Sequence, residues 1–177
     1  MGIKLYNKSG IPDAVLKPLL MEAKRAARCG GSVVVKATRG GSRCASEACS
    51  YSHVSRYSLT GKRTRLGNGL WKRQWVATDG GAVYLRPRYC TDPVAMAERL
   101  FVTAIHEFHH IREFQENKHD VPWSRVKNGR RPNWEDRPEE VRAMMGATDA
   151  MARIRKSPAR LARVEEAILK VALALEA

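Results

Sequence analysis

The amino-acid sequence predicts an α+β fold, an N-terminal helix and a small antiparallel or mixed sheet followed by a helical half. Three observations predict it. β-branched and aromatic runs with strand-like patterning are confined to residues 1–91. From residue 92 onward, apolar residues recur at helical spacing behind recognisable helix starts. The 177 residues suit one domain with a sizeable core, and no internal repeat divides them. Strands first and helices afterwards is the order of a segregated α+β domain. We therefore read residues 1–177 as a single domain: a basic half at 1–91, two helices within 92–155, and a C-terminal helix at 157–177.

Each element has its own signal. In "IPDAVLKPLLMEAKRAARCGG", Val15, Leu16, Leu19, Leu20, Ala23 and Ala27 form a helical stripe, with Lys17, Lys24, Arg25 and Arg28 outside it. Pro18 should kink this helix or mark its start, and Gly30-Gly31 should end it. "SVVVKAT" reads as a β-branched strand, and "YSHVSRYSL" as a weaker one. "RQWVATDGGAVYLRPRY" reads as a hairpin turning at Asp79-Gly80-Gly81. Asp92 and Pro93 then supply an N-cap and a first helical residue, and Phe101, Ala104, Ile105, Phe108 and Ile111 supply a core stripe. A further helix starts near "DRPEEVRAMM" and a last one at Ser157-Pro158. On that last helix Leu161, Val164, Ile168, Val171 and Leu175 face one way, as core rather than as a dimer seam.

Charge is segregated. Residues 1–91 hold 17 Lys/Arg against 4 Asp/Glu, and residues 92–177 hold 15 against 14. A basic half is the footprint of contact with a polyanion. No apolar run has the length of a membrane span, and the N-terminus lacks a secretory h-region, so the expected location is cytoplasmic. The four cysteines (Cys29, Cys44, Cys49, Cys90) are then expected as thiols. Cys44 and Cys49, with His53 beyond, lack the paired spacing of a zinc knuckle.

The chemistry is concentrated in "TAIHEFHHIREF", which holds three of the five histidines. His106, Glu107 and His110 spell HExxH inside the helix that starts at Pro93. Residues four apart lie one above the other, so both imidazoles can reach one metal ion. Glu107 is turned about 100° from His106, placed to act on a water and not as a ligand. Zinc held by three ligands keeps a position for water and lowers its pKa to about 7; a neighbouring carboxylate can take the proton. A third ligand is available downstream in "WEDRPEEVRAMM": if Asp136 and Glu139 form a capping-box-like pair, Glu140 is left free to ligate. Glu113, Glu116 and His119 are the alternatives.

HExxH followed by Arg137, Pro138, Glu140 and Ala143 resembles the gluzincin branch of the zincin metallopeptidases. It is similar in particular to small single-domain members of bacteria, phages and mobile elements. The resemblance spans about residues 80–150 and implies a zincin-like fold, Zn2+ held by His106, His110 and Glu140, and Glu107 as general base. It also implies a substrate peptide added as a strand beside a cleft-edge strand at residues 80–87. Glu113 and Glu116 stand where a metzincin has glycine and histidine, so that branch does not fit. With no tyrosine after Tyr89, the oxyanion-steadying role is open among His109, His119 and Arg137.

A different class of function is written into "TGKRTRLGNGLWKRQW". There Lys62, Arg63, Arg65, Lys72 and Arg73 interleave with Trp71 and Trp75. Basic side chains neutralise phosphates and indoles stack on bases. On this reading the chain is a nucleic-acid-binding protein whose histidines hold a structural or vestigial metal. The two readings combine in a peptidase acting on nucleic-acid-associated proteins.

Overall fold

The structure, a computed structural model, describes residues 2–38, 51–65, 71–86, 92–116 and 137–176. Eight elements follow in chain order: β1 (Ile3–Lys8), α1 (Asp13–Ala26), β2 (Val33–Thr38), β3 (Tyr51–Arg65), β4 (Trp71–Arg86), α2 (Pro93–Gln115), α3 (Pro138–Arg155) and α4 (Pro158–Glu176). The strands form one mixed sheet in the order β1-β2-β4-β3. β1 and β2 are parallel, β2 and β4 are parallel, and β3 runs antiparallel to β4. The α+β class holds, with the sheet in the first half and three consecutive helices in the second.

Two expectations about the sheet change. β1 was not anticipated, although Ile3 is buried and its neighbours alternate in exposure. It pairs with β2 from Ile3↔Val33 to Lys8↔Thr38, so β1-α1-β2 is a parallel crossover unit. The hairpin expected over residues 73–89 does not form either in its described part, residues 73–86. Trp71–Arg86 is one strand, and its antiparallel partner is β3. The register places Tyr57 opposite Ala77 but Ser55 opposite Ala82, so residues 78–81 bulge against Arg56. Gly80 and Gly81 tolerate a bulge as well as a turn, and a partner distant in sequence decides between them. Consequently residues 82–85 are paired on both sides, to β2 and to β3, and the edge beside them is β3. Residues 82–85 are therefore not the open edge expected of the substrate-binding strand at 80–87.

Helix ends show where local signals suffice. The Ala95 N–H donates to Asp92 Oδ1 at 2.9 Å, so Asp92 caps α2 as its sequence position predicts. α1 begins at Asp13, leaving Pro18 within it rather than at its start. It ends on a Schellman motif instead of on Gly30: Cys29 N–H reaches Lys24 O at 3.1 Å and Arg28 N–H reaches Arg25 O at 3.1 Å. The left-handed residue this motif requires is Arg28, at φ 54°. Lys24, expected outside, is buried, and its Nζ donates to Gly31 O at 2.8 Å.

One core joins both halves. Leu16, Leu19, Leu20 and Ala23 of α1 meet Val33, Val35 and Ala37 of β2 and Val83 and Leu85 of β4 in it. Val164, Ile168 and Val171 of α4 are in the same cluster, so the expected stripe is core, with Leu161 and Leu175 packed at its rim. α2 is the central helix, packed against α1, α3, α4 and strands β3 and β4. Among the described residues no helix is long and apolar enough to cross a membrane.

Candidate metal centre

α2 carries apolar residues on one side and histidines beside them. Phe101, Ala104, Ile105, Phe108 and Ile111 are fully buried, as their spacing predicts. That packing fixes the helix rotation and directs His106 and His110, one turn apart, towards α3. The ring centroids of His106 and His110 lie 4.8 Å apart, edge to face. α3 begins at Pro138 with Arg137 as N-cap, which makes Glu140 its third residue and aims that carboxylate at α2. The N-cap position is thus Arg137 and not the expected Asp136, which lies outside the described residues; Glu139 is the second helical residue, and Arg137 makes no side-chain cap.

The three groups converge. His106 Nε2 lies 3.0 Å from Glu140 Oε2, His110 Nε2 lies 3.3 Å from the same oxygen, and the two Nε2 atoms are 3.1 Å apart. All three residues are buried, His110 to 1% exposure. Two nitrogens and an oxygen at such separations cannot all be satisfied by hydrogen bonds among themselves. The nitrogen-to-nitrogen contact needs a proton on one ring only, and that proton cannot also serve the carboxylate. A cation satisfies all three at once. Bonds of about 2.0–2.1 Å in a tetrahedron place their donors about 3.3–3.4 Å apart, close to this triangle. His106, His110 and Glu140 can thus hold a metal ion.

Electrostatics point the same way. Burial raises the Glu140 carboxyl, but hydrogen bonds and charge interaction with His106 and His110 outweigh it and hold the group at about 2. Its place in the first turn of α3 also favours the anion, because backbone N–H groups gather there. Glu140 is consequently ionised and ready to ligate at any physiological pH.

Two contacts set how closely α3 approaches α2. Arg142 Nε donates to Glu113 Oε1 at 2.8 Å, tying the two helices one turn beyond the ligands. The second contact is between His109 and Gly146. A Cβ added at Gly146 would meet the His109 ring, 2.6 Å from Nδ1 and 2.7 Å from Nε2. Glycine is what lets the ring lie flat on the α3 backbone. His109 is accordingly buried in the interhelical seam, and that burial is the chief cause lowering its pKa. That placement removes it from the oxyanion alternatives. Gly146 went unremarked in the sequence, although a glycine inside a helix costs about 1 kcal/mol against alanine and so signals close packing.

The remaining residues sort as follows. Glu107 is buried on α2 beside His106. Glu113 is committed to Arg142, and Glu116 pairs with Arg112 at 3.2 Å, so neither replaces Glu140 as third ligand. Cys29 is a free buried thiol, its pKa pushed up to about 11 by burial. His119, Asp136, Cys44, Cys49 and Cys90 lie outside the described residues. Lys62, Arg63, Arg65, Trp71, Lys72 and Arg73 fall on β3 and β4, away in sequence and element from the triad.

No protein-family model, no curated protein and no solved structure matches this chain.

Proposed function

We propose that the chain is a zinc-dependent metallopeptidase of gluzincin type, with His106, His110 and Glu140 as ligands and Glu107 as general base. The observation that carries this reading is the buried triangle of two Nε2 atoms and one carboxylate oxygen, spaced at 3.0–3.3 Å across two helices. When bound, zinc supplies Lewis acidity: it brings a water at its open position to a pKa near 7 and polarises a substrate carbonyl. The two imidazoles serve as neutral donors, and the ionised Glu140 offsets one positive charge, leaving the site net positive towards a carbonyl oxygen. Glu107, next to His106 on α2, takes a proton from the attacking water and returns it to the leaving amine. A peptide lying along the sheet would pair with β3, which among the described residues is the edge strand next to β4.

The same donor set suits a non-haem iron(II) site. A carboxylate directly following the first histidine favours hydrolysis, because an acid-base group beside the ion has a role there. Metal analysis of the purified protein separates the two: about one zinc per chain is expected, lost in His106→Ala and Glu140→Ala. Glu107→Gln should keep the zinc and the fold while peptide hydrolysis falls by about 10²–10⁴-fold. Iron in place of zinc, or unchanged turnover in Glu107→Gln, overturns the assignment.

A further inference from the structure

The sheet does not end where its four strands end. β2 pairs with β4 only from Val34↔Ala82 to Ala37↔Leu85, whereas β3 and β4 stay paired out to Arg65↔Trp71. Among the described residues, Trp71–Ala77 pairs with β3 alone, as a two-stranded ribbon running beyond the sheet. Such a ribbon is marginal in water without a surface to cover it.

Its register puts particular residues together. Leu59 pairs with Trp75, Arg63 with Arg73, Thr64 with Lys72, and Arg65 with Trp71. Residues two apart on a strand share a face, and so do directly opposed partners. One face therefore holds Trp71, Arg73 and Trp75 of β4 with Arg65, Arg63 and Leu59 of β3. Lys72 falls on the other face, and Lys62 falls in the register shift between Leu59 and Arg63. The register thus divides the basic run of the sequence: four of its six candidate residues share a face, and Trp75 joins them.

Two features of that face suit an anionic partner with planar groups. Arg63 stands directly opposite Arg73, and like charges in that position destabilise a pair of strands. From Tyr57 to Ala77 the sequence contains no acidic residue to offset them. Trp71 and Trp75, with Arg73 between, occupy alternate positions about 7 Å apart from each neighbour of like face along the strand. Arginine alternating with indole is the combination that holds phosphates while stacking bases. A bare anionic surface would meet the charges but would give the indoles no planar partner.

We propose that this face of the β3/β4 ribbon is a binding site for single-stranded nucleic acid, with Arg63, Arg65 and Arg73 on phosphates and Trp71 and Trp75 as stacking positions. The site is independent of the metal assignment. The test uses the full-length protein with a fluorescein-labelled 20-nucleotide oligo(dT), the matching RNA, a 20-base-pair duplex, and vesicles containing phosphatidylserine. Anisotropy is followed from 50 to 400 mM salt. Single strands should bind more tightly than duplex, and the log–log salt slope should fall by about 0.7 for each arginine neutralised. Trp71→Leu and Trp75→Leu should each weaken single-strand binding by about tenfold, and Lys72→Gln by less than Arg73→Gln. Arg73→Gln also relieves the opposed charges, so its melting temperature without nucleic acid should rise while its binding weakens, which distinguishes it from a misfolded variant. Tighter duplex binding unaffected by the tryptophans, equal binding to the vesicles, or no binding at 50 mM salt each overturns the proposal.

Discussion

The α2/α3 seam and the β3/β4 ribbon are stabilised in opposite ways. At the seam, chemistry is buried: His106, His109, His110, Glu113 and Glu140 are all below 10% exposure, held by packing and by named partners. On the ribbon, each strand has one partner strand among the described residues, and the register sets Arg63 opposite Arg73. A metal site needs donors held to about half an ångström before the ion arrives, and a packed helical interface supplies that. A surface for a flexible polyanion needs charge and planar groups more than rigid placement. The difference teaches that the proposed metal site rests on buried, packed polarity, while the proposed nucleic-acid face rests on strand register and charge.

The strongest way to break the comparison is to push the helices of the seam apart. Gly146→Ala inserts a methyl where the His109 ring already lies. We expect about 1–3 kcal/mol of destabilisation and affinity for the proposed zinc lowered by about tenfold or more, although Gly146 is no ligand. Thermal melting and competition with a chromophoric chelator measure the two. Adding His109→Ala to Gly146→Ala should recover both in part, because the obstruction is removed from the other side. Nucleic-acid binding should not change in either variant. If Gly146→Ala weakens the ribbon's binding as much as the metal's, the two regions are coupled and the contrast fails.

A pH titration sharpens it with a smaller effect. His109 has a folded pKa below its ordinary 6.5, chiefly through burial. The unfolded chain therefore binds the proton more readily, and the stabilisation is present above pH 6.5 and lost as pH falls through the folded value. Chelator-treated protein should lose melting temperature from pH 7 to pH 5, and His109→Asn should lose less of it. The arginines of the ribbon do not titrate in this range, so oligonucleotide affinity should stay level except where the fold itself fails. Equal pH dependence in the variant and the parent would show that another group governs the loss.

The smallest effect tests the junction that docks the basic half on the helical half. Arg28 adopts φ 54° at the end of α1, a conformation that costs a residue with a Cβ about 1 kcal/mol. Arg112 Nη1, Gln115 Nε2 and Arg153 Nη2 donate to the carbonyls of Ala27, Gly30 and Ala26 just there, at 3.2–3.3 Å. Arg28→Gly should stabilise the protein by about 0.5–1 kcal/mol, a rise of about 1–4 °C in melting temperature. Its exposed side chain takes no part in those contacts, so both binding activities should be unchanged.

The sequence by itself determined what is carried within a few residues. Asp92 as the cap of α2, the buried stripe from Phe101 to Ile111, the start of α4 at Ser157-Pro158 and the shared reach of His106 and His110 all depend on contacts spanning one helical turn. That range is fixed by 3.6-residue geometry, so spacing alone reveals it. Tertiary structure decided everything that needs a distant partner. Glu140 is joined to His106 across 34 residues, and α3 starts one residue later than its sequence signal suggests, with Arg137 and not Asp136 at the N-cap position. Asp79-Gly80-Gly81 has the composition of a turn, yet pairing with β3 makes those residues part of a bulge. His109 carries the same polarity as its neighbours, and only the absence of a side chain at Gly146 sends it into the seam. In each case local propensity admitted two outcomes of similar energy, and burial against a segment far along the chain selected one.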